Sequence, residues 1–256
     1  MLTALTRAVS RSIESCELTW LPRRKIDLNL AIAQHHAYEA TLAELGVRVI
    51  SLPEEPDLPD AVFVEDPLIV VDEVAVLAPM GCESRRRERE SLAQAIVPFR
   101  PLRTLREPAK LEGGDVMRID RTLFVGLSTR TDEAGVAALA DILQPFDYRV
   151  IPVALRGCLH LKSACCSLGD GAILANAAWL DIAPLAAFGI LPVAEEEPHA
   201  ANVLRVGNTV IMPAAFPRTE RMLRGEGFNL RTVDISELMK AEAAVTCSSV
   251  IFETPE

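Results

Sequence analysis

The chain has 256 residues, half of them hydrophobic, with 26 Lys and Arg against 36 Asp and Glu and a formal net charge of −10. That length buries a sizeable core and suits one large domain or two small ones, taken here as one domain spanning residues 1–256, while the acidic balance and the lack of a basic stripe interleaved with aromatics argue against nucleic acid and anionic membranes as partners. The amino-terminal stretch MLTALTRAVSRSIESCE is interrupted by Arg7 and Arg11, so neither a signal peptide nor a membrane span is expected, and the cytoplasm is the default location.

Leu2–Val9 alternates loosely and reads as a strand, and Ser10–Lys25 mixes polar residues, arginines and Pro22 like a loop, with Leu18 and Trp20 as apolar residues inside it. Asp27 is placed to cap a helix to about Leu45, with Leu28, Ala31, Ile32, His35, Tyr38, Leu42 and Leu45 on one face and Gly46 as the stop. Val47–Leu52 follows as a buried strand. From there one unit recurs. Ala61–Val71 and Val74–Pro79 form a hairpin pattern, then come the charged helix Ser84–Val97 and a strand near Leu102–Leu105. Val116–Ile119 and Thr122–Gly126 lead to the helix Asp132–Leu143 and the strand Tyr148–Val153. Leu159–Leu168 and Ala172–Ala175 lead to a helix near Leu180–Phe188 and the strand Ile190–Val193. Asn202–Val206 and Thr209–Pro213 lead to the helix Arg218–Gly225 and the strand Asn229–Val233. A fifth copy closes the set if Val245–Phe252 pairs with Leu2–Val9. Repeats of roughly 50 residues argue for a closed radial array, because each unit needs neighbours to cover its faces.

Several segments carry chemistry. LPDAVFVEDP, residues 58–67, sets Asp60, Glu65 and Asp66 in an apolar run that favours a strand, with Val62 and Val64 on one face and Phe63 and Glu65 on the other. Carboxylates in such surroundings call for a cation or donors, as a guanidinium receptor supplies; the alternative is an edge strand with solvated acids. Glu112-Gly113-Gly114-Asp115 stands just before a strand, where paired glycines permit close backbone approach or an ordinary turn. His160 and Lys162 share one face of the expected strand Leu159–Leu168, and a lone strand histidine is more often structural than catalytic. Arg85 and Arg130 each stand at the start of a helix after a second hairpin strand, where two bidentate donors can grip a carboxylate. The six cysteines form no CxxC pair and no metal-ligand spacing with histidine; most are expected to be buried thiols. Cys247, in the small-residue segment VTCSSV, reads either as a core residue or as a nucleophile.

LPDAVFVEDP, GCESRRRE, LEGGDV, FVGLSTRT, LHLKS and VTCSSV together, in content, order and spacing, resemble dimethylarginine dimethylaminohydrolases of the guanidine-modifying superfamily, over nearly the whole chain. The resemblance implies a five-bladed α/β propeller of ββαβ units, the pentein fold, in agreement with the repeat. It implies Cys247 as nucleophile, His160 as general acid and base, and Glu112 as the carboxylate that orients the histidine. Glu65 and Asp66 would bind the guanidinium. Asp60, Arg85 and Arg130 would hold the amino-acid end, Leu18 would come from a lid, and Ala241 would offer its carbonyl to the substrate amine. The amino-terminal segment with Trp20, Pro22, Arg23 and Arg24 departs most from the family.

The implied reaction is hydrolysis of an Nω-methylated arginine to citrulline and a methylated amine through a covalent cysteine intermediate, with no metal or organic cofactor. The expected partner is a small-molecule substrate, and the chain is expected to act as a monomer or homodimer. Rival readings are an arginine deiminase-like or amidinotransferase-like activity on the same fold, or a non-catalytic arginine-analogue binding protein. The first lacks room for the helical domain typical of deiminases, and the last has no use for a nucleophile and its base.

Overall fold

A computed structural model describes residues 1–255. In chain order, β1 (Leu2–Arg7) leads through α1 (Leu28–Glu44) to β2 (Arg48–Leu52). β3 (Leu68–Val70) and β4 (Ala75–Leu77) lead through α2 (Arg89–Ile96) to β5 (Leu102–Thr104). β6 (Val116–Ile119) and β7 (Thr122–Leu127) lead through α3 (Glu133–Leu143) to β8 (Arg149–Ala154). A short helix α4 (Leu161–Ala164) precedes β9 (Cys165–Gly169), β10 (Ala172–Ala175) and β11 (Gly189–Pro192). β12 (Leu204–Val206) and β13 (Thr209–Pro213) lead through α5 (Pro217–Gly225) to β14 (Asn229–Val233), and α6 (Ser236–Met239) precedes the closing β15 (Val250–Glu253).

These strands make five three-stranded sheets. In each, the middle strand runs antiparallel to its hairpin partner and parallel to the strand that returns after the crossover. The first blade joins the chain ends: β15 lies antiparallel to β1 with Val250 opposite Leu5, and β1 lies parallel to β2. Middle strands β4 and β13 are buried along their whole length, whereas outer strands such as β14 expose most of theirs.

Five apolar clusters sit between neighbouring blades. Ile69 and Val76 meet Leu123 and Val125; Met117 and Phe124 meet Cys165 and Ile173; Leu168 and Leu174 meet Val210 and Met212. Val206 and Ile211 then meet Ala4 and Tyr38, and Leu5 and Val250 meet Leu68 and Leu77. The fifth contact returns to the blade where the first began, so the ring closes and every blade covers its neighbour. Asp27 caps α1 by accepting from the Leu30 N–H at 3.1 Å, and Asp132 caps α3 from the Gly135 N–H at 2.8 Å. No helix among the described residues is long and apolar enough to cross a membrane.

The structure corrects several local expectations. The strand expected over Ala61–Val71 exists only as β3, and residues before it coil through turns, with the Phe63 N–H on the Asp60 carbonyl at 2.9 Å and the Glu65 N–H on the Cys247 carbonyl at 3.3 Å. Pro59 and Pro67 bracket this segment and donate no N–H to a ladder. His160 lies on no strand: it is the residue before α4, because the Asp115 carboxylate takes the Leu161 N–H at 2.9 Å and opens a helical turn. The helix expected over Leu180–Phe188 shrinks to one turn at Ala183–Leu185. The helix over Ser84–Val97 divides into a tight turn, Glu83–Glu88, and α2, while β15 begins only at Val250. α6 was not expected from the sequence.

Candidate active site

Each blade is entered through a loop before its first strand, and these loops meet at one end of the ring. They carry Cys247 before β15, Glu65 and Asp66 before β3, Glu112 before β6, His160 ahead of β9, and Asn202 before β12. Residues scattered over the whole chain thus become neighbours because the repeat sets equivalent loops around one axis.

Close packing at the centre depends on the glycine pair. A Cβ on Gly113 would stand 2.0 Å from the Glu65 carbonyl oxygen, and one on Gly114 would stand 2.5 Å from His160 Nδ1 and 2.8 Å from Asp66 Oδ1. With only hydrogens there, the Gly113 N–H donates to the Asp66 carbonyl at 2.8 Å and the Gly114 N–H to its Oδ1 at 3.2 Å. The glycines are therefore the means by which histidine and carboxylate approach each other.

His160 Nε2 lies 2.9 Å from Glu112 Oε2, and Nδ1 lies 3.9 Å from Asp66 Oδ1. The other Glu112 oxygen accepts from the Gly81 and Cys82 N–H groups at 3.0 and 3.3 Å and from Arg130 Nη1 at 3.3 Å. Burial disfavours the imidazolium, yet Asp66, Asp115 and Glu112 outweigh it and lift His160 to about 9. Burial likewise disfavours charge on Glu112, but His160 above all, with Arg85 and Arg130, holds it down at about 2. The pair is an ion pair at neutral pH.

Cys247 has the opposite environment. Burial and the Glu65 and Asp66 carboxylates push its thiol far up, against the smaller help of the Ala244 N–H at 3.4 Å and Lys162. In the empty site it is a neutral thiol.

Arg85 donates through Nη1 to Asp66 at 2.8 Å and through Nε and Nη2 to Glu88 at 3.0 and 2.9 Å. Burial works against its charge, but Glu88, Asp66 and Asp60 hold the guanidinium well above its ordinary range. Asp60 accepts from the Glu17 N–H at 3.0 Å. Asp66, Glu112 and His160 bring three ligand-type atoms within 4.8 Å of one another, but the Arg85 and Arg130 guanidiniums already balance these carboxylates. The donor set suits a proton and a planar cation better than a metal ion.

Seven of the ten residues singled out in the sequence line one cavity of about 20 Å³: Asp60, Asp66, Arg85, Arg130, His160, Ala241 and Cys247. Leu18 packs against the apolar cluster beside Cys247, and Glu112 stands fully buried behind His160. Glu65 lies behind this floor, on the wall of a larger central chamber of about 520 Å³. Its Oε1 is held by Lys162 Nζ at 2.5 Å and its Oε2 by the Thr246 hydroxyl at 2.7 Å.

Sequence reading missed the supporting residues Lys162, Glu88, Asp115, Asn202, Thr246 and Glu242. Asn202 accepts from the Thr246 N–H at 3.1 Å and donates to its hydroxyl at 3.0 Å, which fixes the residue before Cys247. Only Lys162 carried a usable signal, as a charge two residues from His160 in an apolar run.

The ring of ββαβ blades with a cysteine, a histidine and carboxylates at its entry loops defines a pentein of the guanidine-modifying superfamily. A family model described as "N,N dimethylarginine dimethylhydrolase, eukaryotic" matches residues 9–178. An N(G),N(G)-dimethylarginine dimethylaminohydrolase from Streptomyces coelicolor is 37% identical over 96% of this chain and 95% of its own, and one from Pseudomonas aeruginosa is 34% identical over 89% and 91%. The chain belongs to the dimethylarginine dimethylaminohydrolase family. Among solved structures, a cysteine-to-serine mutant of the Pseudomonas aeruginosa enzyme complexed with citrulline superimposes with a TM-score of 0.93 at 32% identity, covering 98% of each chain. The N-terminal domain of a cyanobacterial arginine dihydrolase, at 20% identity and a TM-score of 0.85, shares the fold.

Proposed function

We propose that this chain hydrolyses Nω-methylated arginines, asymmetric dimethylarginine and monomethylarginine, to citrulline plus dimethylamine or methylamine, with the whole chain as one catalytic unit. The observation that carries the reading is the pairing of a neutral, carboxylate-flanked Cys247 thiol with a protonated His160 across one cavity. A cationic guanidinium seated on Asp66 offsets the charges that hold the thiol proton, so binding itself favours the thiolate.

On substrate binding the Cys247 proton passes to solvent, the thiolate sulfur attacks the guanidino carbon, and the pair of electrons displaced from the C=N bond rests on nitrogen. His160, held by Glu112, gives its proton to the methylated nitrogen, which departs as the amine and leaves a thiouronium on sulfur. Water attacks that carbon while the now neutral His160 takes its proton. Collapse forms the C=O bond and breaks the C–S bond; the hydroxyl proton passes through solvent to the expelled thiolate, restoring the neutral Cys247 thiol and releasing the ureido product, citrulline. Arg85 and Arg130 are assigned to the substrate carboxylate, Asp60 and the Ala241 carbonyl to its amine, and Leu18 to its aliphatic stem. Arg130 reaches this role by giving up its contact with Glu112.

The test is incubation with monomethylarginine, asymmetric dimethylarginine and arginine, scored for citrulline and for the released amine. Citrulline with methylamine or dimethylamine supports the reading. Ammonia from arginine, with no turnover of the methylated substrates, replaces it with a deiminase.

A further inference from the structure

Beside the small cavity lies a second space of about 200 Å³ that has no part in the chemistry above. Trp20, Trp179, Phe216 and Met239 line it, and His199 stacks on Trp179 with 4.9 Å between ring centroids. The walls are therefore largely aromatic and polarisable, and both tryptophans of the chain belong to them. Two of the polar side chains on this chamber are already committed. Asn202 is bonded to Thr246 through both of its amide atoms, and the Glu242 carboxylate accepts from the Thr19, Trp20 and Leu21 amides at 2.9, 2.5 and 2.5 Å. A concave apolar space of this kind suits an uncharged group.

The position of the chamber relative to the reacting atoms indicates which group. Leu159, Glu242 and Ala243 line the chamber and the small cavity alike. Leu159 directly precedes His160, and Ala243 directly precedes Ala244, a chamber residue whose N–H lies 3.4 Å from the Cys247 sulfur. Asp60, Arg85 and Arg130, assigned to the amino-acid end of the substrate, line the small cavity and not the chamber. The chamber thus adjoins the end of the site where His160 gives its proton and the C–N bond breaks. The small cavity, at about 20 Å³, has room for about one water, whereas an apolar cavity of about 150 Å³ admits benzene.

We propose that the chamber is the pocket for the substituent on the departing nitrogen, and that the chain accepts Nω-substituted arginines whose substituent is apolar and larger than methyl, such as benzyl. The proposal rests on the function proposed above and widens its substrate class. The bond that breaks is the same: the guanidino carbon parts from the substituted nitrogen, which takes the His160 proton and departs as benzylamine in place of methylamine.

Steady-state kinetics with Nω-methyl-, Nω-propyl- and Nω-benzyl-arginine, scored for citrulline and the released amine, is the test. In wild type KM should fall about tenfold from methyl to benzyl, with kcat/KM no lower, because the ring leaves water for apolar walls. Trp20→Ala and Trp179→Ala should each erase most of that preference while kcat/KM for the methyl substrate stays within about twofold. Trp20 is 54% exposed, so its truncation leaves the core intact. A kcat/KM for benzyl at least about tenfold below that for methyl overturns the pocket, and so does a benzyl preference untouched in both tryptophan variants. Titration of Cys247→Ala, followed by tryptophan fluorescence, separates the pocket from the reaction. Nω-benzyl-arginine should bind about tenfold tighter than the methyl compound and shift the emission. Benzyl alcohol giving the same shift with the same affinity overturns the assignment, because the chamber is then an apolar site independent of the guanidine. No citrulline from any of the three substrates with wild type overturns the proposed function, and the titration then upholds or overturns the pocket by itself.

Discussion

Lys162 Nζ sits 2.5 Å from Glu65 Oε1, so a carboxylate that the motif pattern assigns to the guanidinium already has a cation of its own. Burial raises the Glu65 carboxyl while Lys162 and Thr246 draw it back, and both side chains are largely shielded from water. Asp66 also has a cation, Arg85 Nη1 at 2.8 Å, but unlike Glu65 it lines the cavity. The two adjacent acids therefore sit differently: Asp66 lines the cavity, and Glu65 is paired with Lys162 on the wall of the central chamber.

That division predicts different failures. Asp66→Asn should raise KM for methylarginine and cost less stability than the loss of Glu65, because the buried Arg85 keeps its two bonds to Glu88. Glu65→Gln should instead leave Lys162 unpaired and destabilise the fold by about 3 kcal/mol, while the double variant with Lys162→Met recovers most of it. Thermal or denaturant melts of the three proteins decide the matter; a Glu65→Gln variant as stable as wild type contradicts a stabilising pair.

Cys247→Ala should lower turnover by at least roughly a thousandfold, in the range seen when a nucleophile is removed. Because burial and two carboxylates keep the thiol neutral, iodoacetamide should alkylate Cys247 slowly at pH 7 in the free protein and faster when a non-reacting amidine fills the site but leaves sulfur accessible. Mass spectrometry identifies the labelled cysteine. Rapid labelling of the empty protein at pH 7 contradicts ionisation by substrate.

Gly114→Ala tests the close approach at the centre. Its Cβ would meet His160 Nδ1 at 2.5 Å, and a displacement of about 1 Å at a catalytic group costs about a hundredfold in kcat/KM. The ring-closing clusters do not involve this residue, so the melt should change little relative to the activity.

The His160–Glu112 pair gives a pH signature. A histidine raised from 6.5 to about 9 contributes stability that is fully present below 6.5 and lost as pH climbs through about 9. A glutamate lowered from 4.5 to about 2 contributes stability present above 4.5 and lost as pH falls towards 2. The pair's contribution is thus largest between 4.5 and 6.5. The melting-temperature gap between wild type and Glu112→Gln should be widest there and narrow towards pH 9, and in Glu112→Gln the His160 midpoint measured by NMR should fall. A gap constant from pH 5 to 9.5 refutes the ion pair.

The repeat, its closure through the two chain ends, and the ordered motifs were legible in the sequence, because blade strands are specified by local burial patterns and short turns. Strand pairs such as Val116–Ile119 with Thr122–Leu127 carry their own hairpin and their own buried faces. The entry loops do not. Ala61–Val71 and Leu159–Leu168 read as strands from their apolar alternation, yet their first halves take conformations that answer to partners far along the chain: Cys247 for the Glu65 amide, Asp115 for the Leu161 amide. Residue type alone left Cys247, His160 and Glu112 open between structural and chemical roles, and the likeness of the ordered motifs to the family singled them out. Which proton each holds was decided by the tertiary structure, through burial and the charges that the ring brings within a few ångströms. The same holds for Lys162 and Glu242, whose partners lie 97 residues away in one case and more than 220 in the other, a separation that no local pattern encodes.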